Sequence, residues 1–202
     1  MLETIATLVV AYLLRAVPTA YLVGRRLASI DIREAGSHNP GALNIYRRVG
    51  RLAGLAVLVL DATKGALAVS VGILLGVPDT VVFLAAGVAT IGHNFSPFLG
   101  FKGGKGAAVV LGVSAVMLWE LTAIATVGGV VFLALTRNVV LSMAAAFVLL
   151  NGLAIGTSQP GGQIVLCLVL SFLVGGTHLL RQHPELLAAL RRREWRRLVT
   201  IE

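Results

Sequence analysis

Apolar residues run through this chain in long blocks separated by short polar segments. The first block runs from Leu2 to Val23 and is interrupted by Arg15 and Pro18. A polar segment over residues 25–51 follows, rich in charge, glycine and asparagine. The second block, Leu52 to Gly76, carries Asp61 and Lys64 within it. Val77-Pro78-Asp79 reads as a turn, a third block spans Thr80 to about Gly92, and a second polar loop covers residues 93–106. Beyond it lie Ala107 to Thr136, Val139 to Gly156 and Gln163 to Leu180, then an arginine-rich tail over 181–202. A bilayer-crossing helix needs about 20 mainly apolar residues. The pattern predicts an all-α, polytopic integral membrane protein, a single domain over 1–202 with no long soluble insert.

The block from Ala107 to Thr136 is 30 residues long, broken only by Trp119-Glu120. As one helix it would measure about 45 Å, too long for a hydrocarbon core of about 30 Å and short for two full spans. Charge arbitrates. A hairpin of two short helices turning at Trp119-Glu120 returns Arg137 and the tail to the side that holds Lys102 and Lys105. The opposite side then shows residues 1–4, 77–79, 119–120 and 157–162, which contain no lysine or arginine. A single crossing would put Arg137 and the tail outside, against the positive-inside rule. About seven spans are expected, with the N-terminus outside and the C-terminus cytoplasmic. The first residues lack the positive n-region of a signal peptide, so the first block is expected to be retained.

Composition sharpens this. The 202 residues are 57% hydrophobic and 13% charged, with a mean hydropathy of +0.90, against about 25% charged residues in soluble domains. The net charge of +8 could suggest nucleic acid, but no folded basic module is visible. Positive-inside loops account for the charge, and no nucleic-acid partner is expected. The tail places leucines and Trp195 at partly helical spacing among arginines. It reads as an amphipathic helix on an anionic lipid surface. Cys167, the single cysteine, lies in an apolar block and reads as a small buried residue. Spacings among His38, His93 and His183 do not match a metal motif. Neither metal nor cofactor is expected.

The predicted topology brings every loop of unusual composition to one membrane face. The first, from Asp31 to Arg48, offers Ser37, Asn39 and Asn44 as hydrogen-bonding groups, glycines at Gly36 and Gly41, and cations at Arg47 and Arg48. Glycines let backbone N–H groups converge on an anion, and arginine adds a bidentate fork for phosphate. An ordinary juxtamembrane loop would share much of this composition. In the second, Gly100 to Gly106 holds four glycines and two lysines in seven residues, namely Lys102, Gly103, Gly104, Lys105 and Gly106 with Gly100 and Phe101. It leads directly into an apolar helix whose dipole favours anions. No Ser or Thr follows Lys105 and no strand precedes the loop, so it is not a Walker A motif. Asp61 and Lys64 share a helix face. Each costs about 2.5–3.5 kcal/mol at mid-bilayer, which suits a structural pair and a substrate contact equally. His183, before Pro184, is expected near a helix start, where it could serve as general base or hydrogen-bond donor.

These loops resemble the acyl-phosphate-dependent glycerol-3-phosphate acyltransferase family of bacterial membranes. The resemblance rests on Pro18, Tyr21 and Gly24, on Asp31-x-Arg33, and on Gly36-Ser-x-Asn-x-Gly-Ala-x-Asn-x-x-Arg47. It continues through Asp61-x-x-Lys64-Gly65 and Gly92-His93 to Phe101-Lys-Gly-Gly-Lys-Gly106. It covers nearly the whole chain, in family order. It implies transfer of a fatty acyl group from acyl phosphate to the 1-hydroxyl of glycerol 3-phosphate, giving lysophosphatidic acid. The implied partners are those two substrates and membrane lipid, without cofactor, in the bacterial inner membrane. Ser37, Arg47, Lys105 and His183 become the expected catalytic residues. Asn39, Gly41, Asn44, Asp61, Lys64, His93, Lys102, Gly103, Gly104 and Gly106 become substrate or phosphate ligands. Two positions depart from the family pattern: Leu43 stands where Thr is usual, and Leu186 where Asn is expected. An altered acceptor and transport of a phosphorylated solute remain alternatives. The sequence sets no oligomeric state; a monomer is compatible.

Overall fold

The computed structural model describes residues 1–191, with side chains through Arg181. Residues 192–202 of the predicted amphipathic tail lie outside the described residues, as do the side chains of His183 and Leu186. Among the described residues the secondary structure is entirely helical, which membrane-spanning backbone requires because hydrocarbon offers its N–H and C=O groups no partner. The chain packs as two compact units, residues 1–117 and residues 118 onward.

The first unit contains α1 (Leu2–Ala16), α2 (Thr19–Ala28), α3 (Ala42–Arg48), α4 (Arg51–Leu74), α5 (Asp79–Asn94), a 3-10 turn (Pro97–Leu99) and α6 (Ala107–Met117). Helix α4, about 36 Å long at 1.5 Å per residue, packs against all the others. Its tightest partner is α6. A Cβ at Gly112 would overlap the Ala62 carbonyl, and one at Gly65 would overlap that of Val109. The two helices meet backbone to backbone, as small residues permit in membranes.

The break between α1 and α2 follows from Pro18. Proline lacks an N–H and disfavours helical geometry in the residue before it, and Val17 is extended at φ −62°, ψ 118°. Helix α1 therefore stops at Ala16 in the interior of an apolar stretch.

The second unit contains α7 (Trp119–Thr136), α8 (Val139–Gly156) and α9 (Gly161–Arg191). Helices α7 and α8 approach closely at Gly129, where a Cβ would lie 2.9 Å from that of Ala146. Asn138 caps α8 by accepting from the Leu141 N–H at 3.0 Å. Asn151 donates to Ser171 Oγ at 2.8 Å, joining α8 to α9. Cys167 is a free, buried thiol on α9.

Among the described residues, six helical segments are long and apolar enough to cross a membrane, counting α1 and α2 as one. Helix α6 has 11 residues, about 16 Å. Several boundaries differ from those the sequence suggests. The stretch 107–136 breaks at Leu118 (φ −145°, ψ 55°), and Trp119-Glu120 open α7 rather than forming the turn. The segment 25–51 is not all loop: α2 runs through Ala28, and α3 occupies Ala42–Arg48. No helix starts near His183. Helix α9 is continuous over 31 residues, because Pro184 removes one N–H without stopping the turns on either side.

Candidate active site

The first loop is built around one buried side chain. Asn44, 2% exposed, directs its amide at the carbonyls of Ile32, Ala35 and Asn39 at 3.1, 2.8 and 3.1 Å. Its own carbonyl accepts from the Ser37 N–H at 3.4 Å. The loop is thus wrapped on Asn44 from behind, and the asparagine shapes it instead of facing solvent. Asp31 fixes the entrance: Arg33 reaches its two oxygens from Nε at 3.0 Å and Nη2 at 2.7 Å, and Arg25 adds a contact at 3.2 Å. The hydrogen bonds from Arg33 hold the Asp31 carboxyl down to about 2. The guanidiniums of Arg25 and Arg33 lie over the Tyr21 ring, 5.5 and 5.0 Å from its centre respectively, in cation–π geometry. Ser37 and Arg47 are exposed on the outer side of this framework. Asn39 is half-buried, with its Oδ1 covered and without a hydrogen-bond partner among the described residues.

The second loop folds back on the end of α5. The N–H groups of Gly103 and Gly104 donate to the carbonyls of Asn94 and His93, each at 3.1 Å. These amides of the glycine-rich loop are therefore engaged with α5. Those two amides satisfy the last carbonyls of a helix, so the glycines serve close approach. A Cβ at Gly104 would overlap His93 Nε2, and one at Gly103 would overlap the His93 carbonyl. Gly106, at φ +89°, lies against Asn94. Lys102 is exposed and Lys105 half-buried.

Between these loops, the break in the first span leaves a small recess. The break itself, Arg15 to Thr19, lines it with Pro40, Asp61, His93, Ser96 and the Gly103–Gly104 pair. The carbonyls freed by Pro18 find side-chain donors: Ser96 Oγ reaches Ala16 O at 2.5 Å and Lys64 Nζ reaches Val17 O at 3.2 Å. Lys64 also donates to Thr19 Oγ1 at 2.7 Å, and Thr19 donates onward to Asp61 Oδ1 at 2.6 Å. Arg15, 1% exposed, donates from Nη1 to the Asp61 carbonyl at 2.5 Å and from Nη2 to His93 Nδ1 at 2.8 Å. Arg15 and Lys64 both stand 3.9 Å from the same Asp61 oxygen. Two cations thus share one carboxylate.

Of the residues expected from sequence, Asp61, His93, Gly103 and Gly104 line the recess and Lys64 braces its wall. Pro40 brings the first loop to it, with Asn39 and Gly41 on either side in the chain. Ser37, Asn44, Arg47, Lys102, Lys105 and Gly106 are not in its lining. His183 lies on α9 of the second unit. Sequence reasoning missed Arg15, Thr19 and Ser96. The signal for Arg15 was its place inside an apolar block, where an ionisable residue is a functional-site candidate by default. No group of three or more His, Cys, Asp or Glu that could hold a metal ion occurs among the described residues.

Fold and recess together define a helical integral membrane protein with an electropositive, glycine-walled site at a broken span, suited to an anionic substrate. The family model for glycerol-3-phosphate acyltransferase matches residues 5–188. A relative of that name from Synechococcus sp. (strain JA-3-3Ab) is 44% identical over 85% of this chain and 82% of its own length. Another, from Synechococcus sp. (strain JA-2-3B'a(2-13)), is 42% identical over 91% of this chain and 88% of its own length. The crystal structure of PlsY (YgiH), an integral membrane glycerol 3-phosphate acyltransferase in its glycerol 3-phosphate form, superposes with a TM-score of 0.82. That match has 25% identity and covers 94% of this chain and 93% of that one. The chain belongs to the glycerol-3-phosphate acyltransferase family.

Proposed function

We propose that this enzyme transfers a fatty acyl group from an acyl phosphate to the 1-hydroxyl of glycerol 3-phosphate in the bacterial inner membrane, with both loops on the cytoplasmic face. The observation that carries this reading is the family match over residues 5–188, in a chain whose lysine- and glycine-rich loop docks beside the buried Arg15–Asp61–Lys64 network. An acyl phosphate is a mixed anhydride, so no covalent enzyme nucleophile is required. The hydroxyl oxygen forms a bond to the acyl carbon, the bond from that carbon to the phosphate oxygen breaks, and inorganic phosphate leaves with the hydroxyl proton. The products are lysophosphatidic acid and phosphate.

The task left to the protein is to hold two anionic substrates together with a hydroxyl aimed at the acyl carbon. Arg47, Lys102 and Lys105 offset the repulsion between the phosphates and stabilise charge that develops on the departing one. Ser37, Asn39 and Gly41 contribute hydrogen bonds from the first loop. Asn44 contributes by holding that loop. Transfer of the proton by His183 or by a phosphate oxygen is separated by His183→Ala, which abolishes turnover in the first case only.

The test is conversion of palmitoyl phosphate and labelled glycerol 3-phosphate to lysophosphatidic acid by purified protein, with an active relative as control. Ser37→Ala and Lys105→Ala are each expected to cut the rate by roughly two orders of magnitude or more, the scale for loss of a donor to a charged transition state. A folded preparation that makes no product removes the reading. Unchanged rates in both variants remove the site assignment.

A further inference from the structure

Arg15 is the largest fully buried side chain of the protein's described residues, and the mechanism above does not use it. Its guanidinium is anchored on α4 by the Asp61 carbonyl at 2.5 Å and by the Asp61 carboxylate at 3.9 Å. The remaining arm points at the His93 ring, with Nη2 2.8 Å from Nδ1. Arginine carries donors only and does not give up its proton in proteins. Nδ1 must therefore be the acceptor, and a neutral ring so held carries its proton on Nε2. That Nε2 edge is the part of the ring turned to the second loop: a Cβ at Gly104 would overlap Nε2 and come within 2.9 Å of both adjacent ring carbons.

We propose that Arg15 is a positioning residue: through Nη2 it fixes His93 in its Nε2–H form, so that the ring turns a donor, not a lone pair, to the glycine loop. This rests on the reading that the loop handles a phosphorylated substrate. The oxygens of a phosphate dianion only accept hydrogen bonds, so an Nε2–H attracts them and an Nε2 lone pair repels them. One buried guanidinium on the first span thereby sets the polarity of a loop 78 residues away in sequence. The device needs a cation that cannot act as an acceptor, which distinguishes arginine from a neutral amide at this place. It also needs the break at Pro18, because the same interruption lets Lys64 and Asp61 of α4, with Thr19 of α2, brace the guanidinium.

The tautomer is read directly by nitrogen NMR of the full chain in detergent micelles with labelled histidine, His93→Gln supplying the assignment. In the wild type, Nδ1 of His93 is expected to be unprotonated and Nε2 protonated; a protonated Nδ1 overturns the proposal, whatever the activity. In Arg15→Met the two forms are expected to mix. That variant should lower kcat/KM for glycerol 3-phosphate about tenfold to a hundredfold, the range for a hydrogen bond to a charged group. Arg15→Met combined with His93→Gln should be no slower than His93→Gln alone, because Arg15 acts through His93; additive losses overturn the proposal. Should Arg15→Met fail to fold, Arg15→Lys keeps one donor, and its His93 spectrum decides in the same way. A wild type with the expected tautomer and no turnover defeats the functional reading and leaves the lock standing.

Discussion

Replacing Asp61 by asparagine isolates one physical quantity, because the shape of the side chain is kept and only its charge is removed. The carboxylate is 2% exposed and lies 3.9 Å from the Arg15 guanidinium and 3.9 Å from the Lys64 ammonium. Asparagine retains an oxygen that can accept from Thr19, so the hydrogen bond now at 2.6 Å survives. What is lost is the single anion facing two cations in a region that water does not reach freely. Removing one partner of a buried pair costs about 3–5 kcal/mol, because an uncompensated charge is left behind. For a chain of this length that corresponds to a drop in thermal midpoint of roughly 6–20 °C. Thermal unfolding of the purified protein in a mild detergent measures it directly. The charge arithmetic makes a second demand. Lys64→Met leaves one cation against one anion, and should be less damaging than Asp61→Asn even though the Val17 carbonyl loses one of its two donors and keeps only the Thr19 N–H. Combining the two changes returns the cluster to its original net charge and should recover part of the loss. A midpoint for Asp61→Asn within a degree or two of the wild type would show that the cations are solvated, and would refute the reasoning.

Gly104→Ala places a methyl group onto the His93 ring, so it is expected to lower the acyltransfer rate by tenfold or more through a shifted loop, with the thermal midpoint little changed; an unaltered rate would separate that contact from activity. The Asp31 carboxyl, ordinarily at 3.8, is held down to about 2, so its hold on the first loop is fully present above 3.8 and is lost as pH falls through about 2. Pepsin cutting of residues 29–41 should therefore rise only near the bottom of that window in the wild type, and Asp31→Asn should be cut readily throughout it. Leu186→Asn restores the residue the family resemblance leads one to expect, and is expected to raise the rate of lysophosphatidic acid formation.

The all-helical membrane character was plain in the sequence because long apolar blocks are a one-dimensional signal, and the distribution of lysine and arginine gave an orientation. Glycine and lysine density marked the second loop for the same reason. What those glycines do was not legible. Free amides and close packing demand the same residue, and only the hydrogen bonds from Gly103 and Gly104 to the end of α5 distinguish them. Asn44 shows the same ambiguity: an asparagine in a polar loop can face a ligand or hold the loop together, and its burial settles which. Arg15 was visible only as an interruption, since its partners Asp61 and His93 lie 46 and 78 residues further along the chain. Proline misled at the C-terminal end, where Pro184 suggested a boundary and α9 passes through it, yet Pro18 does break the first span. At Pro18, Ser96 and Lys64 supply donors to Ala16 and Val17.

The break at Pro18 explains why the recess lies where it does. Irregular backbone inside a membrane protein must be satisfied by protein or by water, so a broken span draws polar side chains to itself. Lys64 and Ser96 answer the two carbonyls that Pro18 releases, and Lys64 in turn brings a charge that Asp61 must balance. Arg15 adds a second cation to the same carboxylate, which leaves the cluster with one positive charge in excess. Such an excess is unfavourable in a bare hydrocarbon interior and favourable beside a site that admits phosphate. On the proposed reading, the same residues that satisfy the broken span also form the wall beside the glycine loop, and a substitution there is expected to alter stability and turnover together.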